Sequence, residues 1–183
     1  GWNRPEYAQM GMWPGDEHYQ RRYEYAGEYV QILQALWRDG RATWEGEYFQ
    51  LDDCSVLPQP KREIPLVCAG QSPAGRQFVA EYADHQFVLT SEDNLVTSVK
   101  DIRAKAESTG RDVGIYALFH LIVADTDEQA RTEVDAIIDG ADHGAISNIL
   151  ASADLDTNTG GTADQLKAAL NQSVEAGNMA FMG

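Results

Sequence analysis

Between residues 65 and 139 three apolar runs alternate with three amphipathic stretches, and no other feature limits the possible folds so tightly. The runs are residues 65–70 (PLVCAG), 85–90 (HQFVLT) and about 114–124 (GIYALFHLIVA). Each is continuously apolar, without the in-out alternation of a half-exposed strand. Such strands, separated by helices, mark a parallel sheet covered on both faces. The spacing predicts the helices over Pro73 to Tyr82, about Asp93 to Ser108, and from a cap at Asp125 or Thr126 to about Asp139. Gly110 is a natural stop for the second. Three such units are too few for a doubly wound sheet, and a complete (β/α)8 barrel takes about 250 residues. The predicted class is therefore α/β, as a slice of a (β/α)8 barrel.

The flanks of this core differ in character. Residues 1–15 are rich in Gly, Pro and Trp and predict an ordered loop. Asp16 can cap a helix to about Asp39, in which Tyr19, Tyr23, Ala26, Val30, Leu33 and Trp37 recur at steps of three and four. Gly40 stops it, residues 43–50 (TWEGEYFQ) predict a short hairpin around Glu45-Gly46, and Pro58 and Pro60 break the chain. The organisation expected is one domain: a loop, helix and hairpin over 1–60, βα units over 61–140, and a mostly helical segment over 141–183 interrupted by DLDTNTGGT at 154–162. The chain opens GWNRPEY and closes NMAFMG, and apolar or aromatic ends predict cut edges, hence a fragment.

Charge narrows the function. The chain of 183 residues carries 14 Lys and Arg against 29 Asp and Glu, a formal charge of −15. So acidic a surface repels phosphate backbones, which argues against nucleic acid as a partner. No apolar run approaches the roughly 18 residues of a membrane span, and no signal peptide is visible. Cys54 and Cys68 match no metal or redox spacing and predict free thiols in a reducing, cytoplasmic setting. His18, His85 and His143 share no metal spacing, and His120 within ALFHLIV is expected to be a hydrogen-bonded core histidine.

The junction VCAGQSPAG, residues 67–75, carries the first chemical signal. A helix N-terminus presents unpaired N–H groups and a partial positive charge, so small residues there let a phosphate approach the backbone. Pro73 sacrifices no needed donor and Ser72 adds a hydroxyl. Ser72 fits equally as a plain helix cap, the commoner role of Ser-Pro at a helix start. Arg21 and Arg22 lie near the start of a helix, where cations oppose the dipole unless an anion or carboxylate is close. For Arg21 a surface acid is the expected partner.

The stretches GWNRPEYAQMGMWPGDEHYQRRYEYAGEYVQILQALW, GEYFQLDDC and VCAGQSPAG, with TGRDV and ADTDEQAR further on, resemble the bacterial luciferase-like flavin monooxygenases, densely from residue 1 to about 140. The resemblance implies a barrel entered after its fourth strand. Strands five to seven are then present, and the N-terminal half and last strand lie outside. It implies FMN, used as FMNH2 supplied by a separate reductase, with O2 as co-substrate and a small-molecule substrate. The implied activity is monooxygenation that opens a pyrimidine ring such as uracil. Alternatives are an alkanesulfonate, a sulfone or another small heterocycle as substrate, hydride transfer with a deazaflavin, or a non-catalytic flavin-binding fragment. A homo-oligomer is also expected. Four positions match the family's FMN site: Glu6 as a flavin-site carboxylate, Arg22 and Tyr23 as its Arg-Tyr pair, and Ser72 as the serine beside the phosphate. Glu6 has a rival role as a structural carboxylate pairing Arg4 or Arg22. No catalytic residue is assigned.

Overall fold

The computed structural model describes residues 4–89, 92–119, 121–156, 163, 164 and 166–168. The chain begins with a short helix α1 (Arg4–Gln9) where the Gly/Pro content predicts a loop. Pro5 lies in its first turn, where no N–H is needed, and Gly11 at φ +66° follows its end. The helix predicted from Asp16 to Asp39 is two, α2 (Asp16–Gln20) and α3 (Arg22–Asp39), joined at Arg21 with φ −95° and ψ 10°. The Arg21 N–H still reaches Glu17 O and the Tyr25 N–H still reaches Arg21 O, so the apolar spacing runs across the joint and conceals it. Gly40 closes α3 in the left-handed conformation, its N–H on Leu36 O.

β1 (Arg41–Glu45) and β2 (Gln50–Ser55) form an antiparallel hairpin that extends beyond the predicted residues at both ends. Its turn falls at Gly46 to Phe49, because the Glu28 carboxylate of α3 accepts from the N–H groups of Glu47, Tyr48 and Phe49 at 2.7–3.1 Å. Ile32 and Leu36 of α3 and Ala42 of β1 bury together, with Trp44, Phe49 and Leu51 packed against them.

The βα units follow. β3 (Val67–Cys68), β4 (His85–Val88) and β5 (Gly114–Ala117) pair in parallel in the order β3-β4-β5. α4 (Pro73–Tyr82) has the bounds its sequence predicts, and α5 (Glu92–Thr109) exceeds its prediction by one residue at each end. Gly110, at φ +70°, follows α5. Val79, Ala80, Ala83, Ile102, Ala106 and Val113 form the core between these helices and the sheet, against Cys68 and Ile115. The opposite side is open among the described residues, with Val67 and Tyr116 about half exposed. The third strand is also shorter than its apolar run. Ala117 pairs with Val88, the last residue of β4, the Leu118 N–H still reaches Val88 O, and no further pairing occurs among the described residues; Leu121 and Val123 are 84% and 89% exposed. β3 is cut to two residues of its predicted six. His120 lies outside the described residues.

α6 (Asp127–Asp139) is capped by Thr126, whose Oγ1 accepts from the Gln129 N–H, and α7 (His143–Ala153) by Asp142, whose carboxylate accepts from the Ala145 N–H. The Tyr19 hydroxyl reaches Asp156 Oδ1 at 2.7 Å and ties the chain after α7 to α2. Most of the predicted path after residue 156 lies outside the described residues.

Candidate functional site

β3 ends at Cys68 and α4 starts at Pro73, so the chain must turn within Ala69 to Ser72. Two glycines make that turn tight. A Cβ on Gly70 would lie 2.8 Å from Gly75 Cα, and one on Gly75 would lie 2.8 Å from Gly70 Cα, so the two main chains touch. Ser72 is the N-cap, its Oγ accepting from the Gly75 N–H at 3.1 Å. The cap role is therefore filled. Among the described residues, however, the N–H groups of Gln71, Ser72 and Ala74 have no acceptor. These donors converge on one helix end with its partial positive charge, on a junction where Gln71 and Ser72 are buried.

Beneath the junction lies Gln86, the second residue of β4. It is 0% exposed, donates from Nε2 to Gly70 O at 2.7 Å, and keeps Oε1 buried without a partner among the described residues. Sequence reasoning missed Gln86. Its signal was a polar side chain inside the apolar run HQFVLT.

Tyr23 reaches the same place from α3. Its ring packs on Phe78 of α4 at 5.6 Å, and its hydroxyl lies 2.8 Å from where a Gly75 Cβ would stand. The Arg22 guanidinium lies over the rings of Tyr19 (4.2 Å) and Tyr23 (4.8 Å) and donates to Tyr19 O at 2.6 Å. Stacked aromatic faces hold such a cation at the helix start despite the opposing dipole. Ser72 and Tyr23 thus meet at Gly75, with Arg22 joined through the Tyr23 face. Arg21 turns elsewhere, onto Glu24 and Glu47 at 2.5 Å each, which is the surface pairing its sequence context predicts.

Glu6 is not part of this group. It is exposed on α1, and no contact among the described residues joins its side chain to Arg22, Tyr23 or Ser72. Its possible partner Arg4 pairs with Asp16 at 3.2 Å. α1 leads toward Arg22 through the rings of Tyr7, Trp13 and Tyr19, with Arg4 also lying over Trp13. Cys54 and Cys68 are both free thiols, and burial followed by the nearby Asp84 carboxylate pushes the Cys68 thiol up, which disfavours the reactive thiolate. Among the described residues no cluster of His, Cys, Asp or Glu is set to hold a metal, and no helix is long and apolar enough to cross a membrane.

A parallel strand thus runs into a glycine-tight helix start whose first N–H groups are open among the described residues. The luciferase-like monooxygenase family model matches residues 1–181, and the chain belongs to that family. It is 46% identical over 164 residues to pyrimidine monooxygenase RutA of Acinetobacter baylyi, covering 87% of this chain and 44% of that protein. It is 44% identical to the RutA of Escherichia coli O7:K1, over 87% of this chain and 50% of that one. The chain thus spans about half the length of these curated relatives. Among solved structures it resembles riboflavin lyase RcaE, determined with modified FMN and riboflavin, at a TM-score of 0.72 and 22% identity over 83% of this chain and 39% of that one. It also resembles EDTA monooxygenase EmoA of Chelativorans sp. BNC1, at a TM-score of 0.70 and 18% identity over 92% and 47%. These structural likenesses establish the α/β fold of the chain.

Proposed function

We propose that the complete protein is an FMN-dependent monooxygenase that opens a pyrimidine ring such as uracil, and that the start of α4 receives the FMN phosphate. The carrying observation is the set of open N–H groups on Gln71, Ser72 and Ala74 at a junction held tight by the main-chain contact of Gly70 with Gly75. That donor set fits a phosphate, because a dianion needs several convergent donors and a positive helix end. Identity near 45% to pyrimidine monooxygenases supports the substrate class.

In this reading the Ser72 hydroxyl and the adjacent amides hold the phosphate, Arg22 adds positive charge, and Tyr23 contributes its hydroxyl beside Gly75. Glu6, exposed on α1, is retained as a ribityl or ring-edge partner in the complete protein. Bound reduced FMN supplies the activation of O2, while the chain binds, orients and excludes water. The three parallel strands are strands five to seven of a (β/α)8 barrel, with residues 1–60 and 141–183 as parts of that single domain. Its strand ends at this junction lie on the face where such barrels carry their sites. A separate flavin reductase, a homo-oligomeric assembly and a cytoplasmic setting complete the proposal.

The test is a titration of FMN and riboflavin into the complete protein and its Ser72→Ala and Arg22→Ala variants. Loss of a hydrogen bond to a charged group is worth roughly 1.5–3 kcal/mol, so each variant should weaken FMN about tenfold or more and leave riboflavin nearly unchanged. Unchanged FMN affinity in both variants refutes the phosphate site.

A further inference from the structure

Among the described residues, Gln86 is the one fully buried polar side chain at the junction that neither the strand ladder nor the helix cap requires. Its Nε2 holds Gly70 O at 2.7 Å, from a position with 0% exposure. In a trans peptide the C=O of one residue and the N–H of the next point in opposite directions. Drawing Gly70 O inward to Gln86 therefore turns the Gln71 N–H outward, away from the sheet. The same bond fixes Gly70 against Gly75, whose N–H is already taken by Ser72 Oγ. Two anchors, one in β4 and one in the cap, thus set both sides of the donor cluster.

A Gln serving only to fill the core would be a poor choice, since its Oε1 is buried without a partner among the described residues. An unpaired buried acceptor is destabilising, and a Met or Leu of similar volume would avoid it only by releasing Gly70 O from its donor. A polar side chain kept against that penalty is doing something its apolar isosteres cannot. From this we propose that Gln86 is a positioning residue for anion binding: by holding Gly70 O it preorganises the Gln71 and Ser72 amides toward the ligand phosphate. The inference rests on the phosphate reading of the α4 start and adds to it the side chain that aims the donors.

The experiment compares wild type with Gln86→Met in the complete protein, using FMN and riboflavin as probes. Hydrogen exchange of residues 69–76 and thermal unfolding are followed alongside. The expected result is faster exchange in that segment, FMN binding weakened about fivefold, riboflavin binding within about twofold, and a melting temperature near wild type, because the orphaned Oε1 is gone while Gly70 O loses its donor. Gln86→Leu, with a different shape, is read in the same way should the first variant fold poorly. Faster exchange with an unchanged FMN-to-riboflavin ratio overturns the role in anion binding, and unchanged exchange overturns the positioning itself. If wild type shows no preference for FMN over riboflavin, the phosphate reading has failed and this inference goes with it. If wild type prefers FMN and the variant keeps that preference, only the Gln86 inference has failed.

Discussion

Replacing Gly75 by alanine sets two effects of known size against each other. Alanine is favoured over glycine in a helix by about 1 kcal/mol. Opposing this, the new Cβ would lie 2.8 Å from Gly70 Cα, 2.9 Å from Gly70 C and 2.8 Å from the Tyr23 hydroxyl. Carbon atoms in contact prefer about 3.5–4.0 Å, so the Cβ falls short by roughly 0.7 Å or more against main chain. The main chain has little room to yield, since Gly70 O is held by Gln86 and the Gly75 N–H by Ser72. Overpacking costs about 1–3 kcal/mol, and a clash against held main chain falls in the upper half of that range, about 2–3 kcal/mol, which leaves a net loss of about 1–2 kcal/mol after the helical gain. At about 2–4 °C per kcal/mol for a chain of this size, thermal unfolding should shift down by roughly 2–8 °C. FMN affinity should fall too, because α4 can no longer seat on Gly70. Gly27→Ala is the control. Gly27 lies inside α3, and the nearest atoms to its Cβ would be the hydroxyl and outer ring carbons of Tyr82, at 3.1–3.4 Å. A side-chain tip moves cheaply, so Gly27→Ala should leave the melting temperature unchanged or higher. Circular dichroism of the two variants beside wild type decides the matter. A Gly75→Ala protein as stable as wild type, or a Gly27→Ala protein equally damaged, would refute the close main-chain approach.

Two further outcomes concern stability. Burial pushes the Glu28 carboxyl up, but the N–H groups of Tyr48, Glu47 and Phe49 outweigh it and hold the group below the usual carboxylate range. A lowered value in the folded state gives stability that is complete above the usual carboxylate range and lost as the pH falls through the lowered value. Glu28→Gln should therefore melt below wild type at neutral pH, with the gap closing toward acid. A gap of constant size across a melting series in pH would show that the charge is not what holds the turn. Ile102 is fully buried between Val79, Ala80, Ala106 and Val113, and its truncation to alanine should lower the unfolding free energy by about 2–5 kcal/mol in urea. A loss under about 1 kcal/mol would mean that α5 does not pack on the sheet as found.

Much of the framework could be read directly from the chain, and the reason is local. α4 runs from Pro73 to Tyr82 as its sequence predicts, because a Ser-Pro start and an apolar stripe act within single turns. Gly40, Gly110 and Thr126 likewise mark helix ends through their own backbone or side chain. Failures occurred where a partner decides. An apolar run of about eleven residues became a four-residue strand, since β5 can extend only as far as β4 offers a ladder. Arg21 breaks a helix whose spacing continues across the break, and the hairpin turn sits where Glu28 of another element collects three amides.

The site divides along the same line. Ser72 could be singled out from its own neighbourhood, because a cap is a contact between residues three apart. Its family resemblance also rests on the stretch around it. What the sequence could not decide was whether Ser72 serves as cap or ligand, nor which amides remain open around it. Those answers depend on Gly70 meeting Gly75, on Gln86 drawing in one carbonyl, and on Tyr23 of α3 closing over Gly75 from far away in the chain. The sequence by itself determined the strand–helix alternation and the helix caps, whose energetics are settled within a few residues. Only the tertiary structure decided which donors face outward, because that orientation is set by packing between elements whose separation along the chain carries no information about their contact.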